Sequence, residues 1–220
     1  MTPPLPVDLT AAARVLAEAD PVLAGVIGRA GPCEIAPAAR VDLFAALLRS
    51  ITYQQLHGRA AETIHGRVLA LLPRKAAKPA AFQAVPDEAL RAAGLSANKL
   101  RAIRDLAEKC LDGTLPPARE IPGMNDAELI SRLTAVRGIG TWTVHMLLIF
   151  HLGRPDVMPV GDYAIRKAFS LLYRRGRAVT PESILRHARR WQPYRSVASW
   201  YLWRSLDADQ AIRLPEEPGI

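Results

Sequence analysis

The sequence predicts an all-α protein, and three observations carry that prediction. Apolar residues recur at helical spacing, as in "DLTAAARVLAEAD" and "ELISRLTAV". Val, Ile and aromatic residues nowhere alternate cleanly with polar ones, and no Asn-Gly or Asp-Gly pair sits between two such alternating runs. Helix punctuation, by contrast, is frequent: Asp, Ser and Asn ahead of apolar runs, Pro at first positions, Gly at ends. With half of its 220 residues hydrophobic, the chain can bury one sizeable core, or build two lobes that share a cleft.

The elements follow in order. A first helix opens after Asp8 and stops at Asp20-Pro21, where Pro21 begins a second short helix. "VDLFAALLRSI" follows the loop "GPCEIAP", and "QQLHGRAAETIHGRVLALL" is read as one helix running to Pro73. "RKAAKPAAFQAVP" is read as a basic connector. "PDEALRAAG" is a short helix ended by Gly94, and Ser96 caps "SANKLRAIRDLAEKCLDG", which Gly113 ends. "TLPPAREIPGM" is read as a loop. Asn125 with Glu128 three residues later forms a capping-box pattern ahead of "LISRLTAV". A helix beginning near Thr141, then "DYAIRKAFSLLY", "TPESILRHARRW" and a last helix carrying "YRSVASWYLWRSL" complete a bundle of roughly ten helices. A single domain over 1–220 is expected, with one lobe at about 43–120 and the other formed by 1–42 together with 121–220.

The formal net charge is +8 and lysine stands only at positions 75, 78, 99, 109 and 167, so arginine supplies most of the positive charge. That balance favours a polyanion as partner, and a guanidinium fork suits phosphate oxygens. Cys33 and Cys110 form no CxxC pair, so neither a zinc ribbon, an iron–sulfur cluster nor a disulfide framework is expected. The five histidines show no metal-ligand spacing. "MTPPLPVDLT" has no signal-peptide pattern and "MLLIF" is too short to span a bilayer, so a cytoplasmic, monomeric protein away from membranes is expected, with no protein partner evident.

The most informative stretch is "AVRGIGTWTVHMLLIFHLGRPDVMPVGDY". A helix ends near Val136, Gly-Ile-Gly turns, and a new helix starts near Thr141. Glycine permits such a turn and a close backbone approach. The new helix offers unpaired N–H groups and its positive dipole end to a phosphate, with Arg137 beside it. Taken alone, the turn is an ordinary Gly-capped junction. A hairpin followed some twenty residues later by Pro-x-Gly-Asp is much rarer.

Here the sequence resembles the helix–hairpin–helix DNA glycosylases with a Gly/Pro-rich loop and an essential aspartate, the HhH-GPD superfamily. Within it the chain is most similar to the AlkA-type 3-methyladenine DNA glycosylases. Four stretches carry the match: "LLRSITYQQLHGRAAETI", "GLSANKLRAIRDLA", "VRGIGTWTVHMLLIFHLGRPDVMPVGDYAIRKAF" and "WQPYRSVASWYLWR". Larger members bear an N-terminal β-sheet lobe, and the segment before Leu43 is too short for one, so the compact all-helical form is expected, with an active-site cleft between its lobes.

The resemblance implies double-stranded DNA with alkylated bases as partner and Asp162 as the catalytic carboxylate, facing the sugar of an everted nucleotide. Breaking an N-glycosidic bond builds an oxocarbenium-like charge that a fixed carboxylate stabilises. Asp162 also suits capping of the helix from Tyr163. Where strand-nicking members carry a lysine this chain has Trp142, which cannot form a Schiff base. With no four-cysteine cluster either, a monofunctional enzyme that leaves an abasic site is expected. Trp142 and Trp203 fall on wall positions of the family's aromatic base pocket, a third wall position falls on Met146, and Tyr53 is a candidate from the facing lobe. Trp200 is read as core. Alkylated purines are cationic and stack on such faces.

The plug that fills the gap in the duplex falls on Gln55 or Leu56. Phosphate contacts fall on Arg137, Gly138, Ile139, Gly140, Thr141 and Thr143, and near His57 and Arg59. No cofactor is required for the chemistry, and the resemblance implies a monovalent cation (sodium or potassium) on the carbonyls of Thr134, Val136 and Ile139. Two other readings stay open: a glycosylase for a deaminated or oxidised base, and a non-catalytic hairpin module that binds DNA.

Overall fold

The structure, a computed structural model, describes residues 7–37 and 42–207. Among these residues every regular element is helical. The α-helices are α1 (Leu9–Ala19), α2 (Pro21–Ala30), α3 (Leu43–Tyr53), α4 (Gly58–Ala70), α5 (Pro79–Ala84), α6 (Asp87–Ala92), α7 (Ala97–Leu111), α8 (Asp126–Thr134), α9 (Thr141–Met146), α10 (Tyr163–Arg174), α11 (Pro181–His187) and α12 (Arg195–Asp207). The starts follow local chemistry. The Asp8 carboxylate accepts from the N–H groups of Thr10 and Ala11, Ser96 Oγ from that of Lys99, and Thr180 Oγ1 from that of Ser183. The capping box is only half made. Asn125 accepts from the Glu128 N–H, but the Glu128 carboxylate pairs with Arg132, one turn on.

Three segments differ from their sequence reading. The helix expected from Gln54 starts at Gly58, because residues 54–57 form a turn in which Gln55 takes a left-handed φ of 58°. The basic connector contains α5, which exists to bury Phe82 (0 % exposed) against the edge of Phe44. The loop at 114–124 holds a single 3-10 turn, Ile121–Gly123, anchored by buried Ile121.

The chain divides into two compact units, and among the described residues one comprises 7–37 and 145–207, the other 42–144. Residues 121–144 therefore group with 42–120, not with the C-terminal residues as expected. The physical reason is the hairpin. Its Arg137 N–H donates to Asp105 Oδ2 on α7 at 2.7 Å, and Gly138 packs against Ala102 on the same helix.

In the first unit α12 is the centre, touching α1, α2 and α10. Eight successive residues, Ser196 to Trp203, are buried, so this helix is enclosed all round and shows no single apolar stripe. A second anchor is Asp20, 1 % exposed. Its Oδ1 caps α2, while its Oδ2 accepts from Tyr173 Oη (3.0 Å) and Trp191 Nε1 (3.0 Å) and pairs with His187 Nε2 (2.9 Å). One carboxylate thus joins α1, α2, α10 and α11.

In the second unit α7 packs on α3, α5 and α6. Arg104 donates to the carbonyls of Phe82 (2.7 Å) and Val85 (2.5 Å) at the end of α5, and to Asp87 at the start of α6. Lys99 Nζ donates to the Thr52 carbonyl at 2.7 Å, a cation at the C-terminal end of α3 where the helix dipole favours it.

Candidate active site

In the first unit the segment that delivers Asp162 is pinned along its length to α12. Arg195 grips Asp156 with two parallel bonds, Nε to Oδ1 at 2.7 Å and Nη2 to Oδ2 at 2.9 Å. Ser196 Oγ accepts from the Val157 N–H and donates to the Arg154 carbonyl, and the Ser196 N–H donates to Pro155 O. Gly153, with φ of 64°, begins the segment, and any Cβ there would meet Pro37 Cγ at 2.6 Å. Only glycine fits.

Asp162 ends the segment as the N-cap of α10. Its Oδ1 accepts from the Ile165 N–H at 2.8 Å and from Trp203 Nε1 at 3.1 Å. Two N–H donors on one oxygen fix the carboxylate's orientation. Trp203 is 5 % exposed, and its indole lies against the half-buried ring of Phe150, centroids 5.5 Å apart. Phe150 is absent from the sequence expectations because it closes the run "MLLIF" and reads as core. A π-helical turn over Leu147–His151 follows α9. Such turns cluster at functional sites. Met146 is half-buried at the end of α9, and Trp200, 4 % exposed, lies in the core with Arg204 stacked over its ring.

In the second unit the hairpin 137–140 joins α8 to α9. Gly138 takes φ of 78°, and its turn is fixed from below by the Asp105 bond to the Arg137 N–H. Burial pushes the Asp105 carboxyl up. The Arg137 N–H and the Lys109 ammonium outweigh it and hold that carboxyl below its usual range. Ile139 and Val136 are buried and anchor the turn, while Arg137, Gly138, Gly140, Thr141 and Trp142 are exposed, Trp142 at 43 %. Thr143, beside them, is buried. At 7 % exposure its side chain faces the interior, which leaves its backbone N–H as the group a phosphate could meet.

The same unit carries the turn Tyr53–Leu56. Gln54 at φ −53°, ψ 130°, Gln55 at φ 58° and a Leu56 N–H to Tyr53 carbonyl bond of 3.2 Å define a type II turn. Glycine or asparagine normally holds the third position; glutamine there is strained. Gln55 and Leu56 both face solvent, Leu56 at 38 % exposure, so Leu56 is not a core residue. Exposed His57 precedes α4 without capping it through its side chain, so the first N–H groups of α4, beside exposed Arg59, are open to an anion. One face of Tyr53 is already taken: the Arg49 guanidinium lies 3.9 Å over its ring and bonds its hydroxyl.

Known proteins match this chain over most of its length. Residues 48–193 match the HhH-GPD superfamily base excision DNA repair protein family. A DNA-3-methyladenine glycosylase 1 of Schizosaccharomyces pombe is 38 % identical over 160 residues, 72 % of this chain and 70 % of the relative. The crystal structure of a DNA-3-methyladenine glycosidase from Bacillus halodurans superposes with a TM-score of 0.82 at 33 % identity, covering 96 % of this chain and 94 % of the other. The solved structure of an S. pombe 3-methyladenine DNA glycosylase in complex with abasic DNA gives 0.76 at 33 % identity, covering 91 % and 98 %. A hairpin with a left-handed glycine, a following loop that ends in a capping aspartate, and these matches together make the chain a member of the HhH-GPD superfamily of base excision DNA repair proteins.

Proposed function

We propose that the protein is a monofunctional DNA glycosylase that hydrolyses the N-glycosidic bond of alkylated purines in duplex DNA, acts as a monomer and leaves an abasic site. The observation that carries this reading is the Asp162 carboxylate, fixed by the Ile165 N–H and the Trp203 indole beside Phe150. As the bond from C1′ to the base nitrogen breaks, its electron pair leaves with the base and neutralises the alkylated ring. The deoxyribose becomes cationic, and Asp162 stabilises it. Water adds at C1′ and gives up a proton, for which Asp162 is the acceptor at hand.

Trp203, Trp142, Met146 and Tyr53 are assigned to contact with the base. With one ring face under Arg49, Tyr53 has only its other face to offer a cation. Gln55 and Leu56 are assigned to the gap left by the everted nucleotide. Arg137, Gly138, Ile139, Gly140, Thr141, Thr143, His57 and Arg59 are assigned to phosphates. The carbonyls of Thr134, Val136 and Ile139 would hold a monovalent cation, which would add positive charge beside the DNA backbone. Thr134 ends α8, where carbonyls lack helical partners, and Val136 O accepts from the Ile139 N–H at 3.1 Å.

The test is base release from duplexes bearing 3-methyladenine, 7-methylguanine, hypoxanthine or 8-oxoguanine. Release of the two methylated purines, abolished in Asp162→Asn with DNA affinity retained, is expected. Exclusive release of 8-oxoguanine, or turnover surviving Asp162→Asn, would overturn it.

A further inference from the structure

Gln54 has no role in the assignments above, yet it joins two of the elements they name. Its side chain crosses from the type II turn to the hairpin, where Nε2 donates to the Gly138 carbonyl at 3.0 Å. The residues are 84 apart in sequence. The turn is braced at its root by Lys99, through the Thr52 carbonyl, and the hairpin by Asp105, through the Arg137 N–H. Both braces come from α7. Gln54 closes the loop of contacts, so α3, α7 and the hairpin hold the turn at three points. Without its tether, the strained left-handed Gln55 would have cheaper conformations nearby.

We propose that Gln54 is a positioning residue that locks the Gln55–Leu56 turn to the phosphate-gripping hairpin. When the hairpin seats on the DNA backbone, the tip of the turn is then already at the depth and angle needed to enter the base stack. The inference rests on the assignment of Gln55 and Leu56 as the plug. It assigns Gln54 no contact with the base or sugar. Its effect lies wholly in opening paired DNA.

The test compares single-turnover release of 7-methylguanine from a paired duplex and from the same strand unpaired, for Gln54→Ala and Gln54→Glu. Glutamate keeps the length but turns a carboxylate on a carbonyl. Losing one net hydrogen bond predicts a roughly two- to tenfold slower release from the duplex, larger for Gln54→Glu, with release from the single strand unchanged. A 2-aminopurine beside the lesion should brighten less in the bound variants, since its neighbour is extruded less often.

Gln55→Ala/Leu56→Ala serves as reference. In that background the added Gln54→Ala should cost nothing further, because the tether then has no plug to place. Equal losses on both substrates, or full additivity with the plug variants, would show a merely structural role and overturn the proposal. A duplex defect in the plug variants with none in either Gln54 variant would overturn it while leaving the plug assignment standing. If the plug variants themselves release the base from duplex normally, the underlying assignment fails first.

Discussion

Trp203 Nε1 and the Ile165 N–H meet on the same oxygen of Asp162, at 3.1 and 2.8 Å, so an indole from α12 orients the carboxylate that caps α10. The bond makes Trp203 more than an aromatic surface. Trp203→Phe keeps an aromatic ring against Phe150 but removes the indole N–H donor together with part of the ring's volume. A hydrogen bond to a charged group contributes about 1.5–3 kcal/mol, so base release should slow by roughly ten- to a hundredfold. Binding to abasic DNA should hardly change. Single-turnover rates and affinities on one duplex check this, and an unaltered rate would reduce Trp203 to a stacking surface.

The two hairpin glycines are predicted to differ. Gly138 sits at φ 78°, where an L side chain is strained, and an added Cβ would lie in contact with Ala102 at 3.4 Å, whereas at Gly140 a Cβ meets nothing within 4 Å. Gly138→Ala should lower the stability of the free protein by about 1–2 kcal/mol. Gly140→Ala should leave the melting temperature alone yet weaken DNA binding, because a methyl there stands where a phosphate must approach. Thermal melts beside duplex titrations separate the two effects, and equal melting temperatures for the two variants would contradict the steric argument.

How far the sequence reached is clear from individual residues. Asp8, Ser96 and Asn125 could be read as helix starts because their partners lie two or three residues away, whereas the capping by Asp20 and Thr180 appeared only in the structure. Helix order and the capping place of Asp162 were legible for the same reason, since periodicity and caps are local, while its candidate catalytic role came only from the resemblance. The bonds that build the candidate site are not local. Trp203 reaches back 41 residues and Gln54 forward 84, and neither pairing leaves a trace in spacing. The turn at 54–57 was hidden differently. "QQLH" has ordinary helix propensity, and what breaks the helix is a strained φ that tertiary contacts impose on a glutamine.

Acid should destabilise the protein, in two steps. Burial pulls the His187 imidazole below its ordinary value of 6.5. The Asp20 contact pulls it back, the nearby Arg190 and Arg174 charges add to the lowering, and the net direction is down. The folded state then binds fewer protons than the unfolded one just below pH 6.5, so stability falls as pH drops through that range. His65, lowered by burial and by Arg49, adds to the same step. Burial raises the Asp20 carboxyl, but its bonds from His187, Leu23, Trp191 and Tyr173 leave it lowered, so its contribution is lost progressively as the pH falls through and below its ordinary value of 3.8. Melting temperature should decline from pH 7 to 5, less steeply in His187→Gln. Asp20→Asn sets an amide against three donors and should cost about 3 kcal/mol or more at pH 7. A flat profile over pH 5–7 would remove His187 from the account.

Arg104 offers the sharpest stability test because its geometry suits a guanidinium alone. Its Nη1 donates to the Phe82 carbonyl, its Nη2 to the Val85 carbonyl and to Asp87, and its Nε also to Asp87, with the Phe82 ring 5.3 Å below. The two carbonyls belong to the end of α5, where Phe82 O also accepts from the capping Val85 N–H and Val85 lies past the last helical residue, and Asp87 opens α6. A lysine keeps the charge but carries one compact ammonium, which cannot span both carbonyls and the carboxylate. At least one carbonyl is then left wanting a donor in a part-buried site. Arg104→Lys should therefore cost about 1–3 kcal/mol, and Arg104→Ala more, because the stem that covers Phe82 goes too. Urea unfolding should show a lower midpoint for both variants with the slope preserved. If the lysine variant matches the parent midpoint, charge rather than the fork holds α5 and α6 on α7.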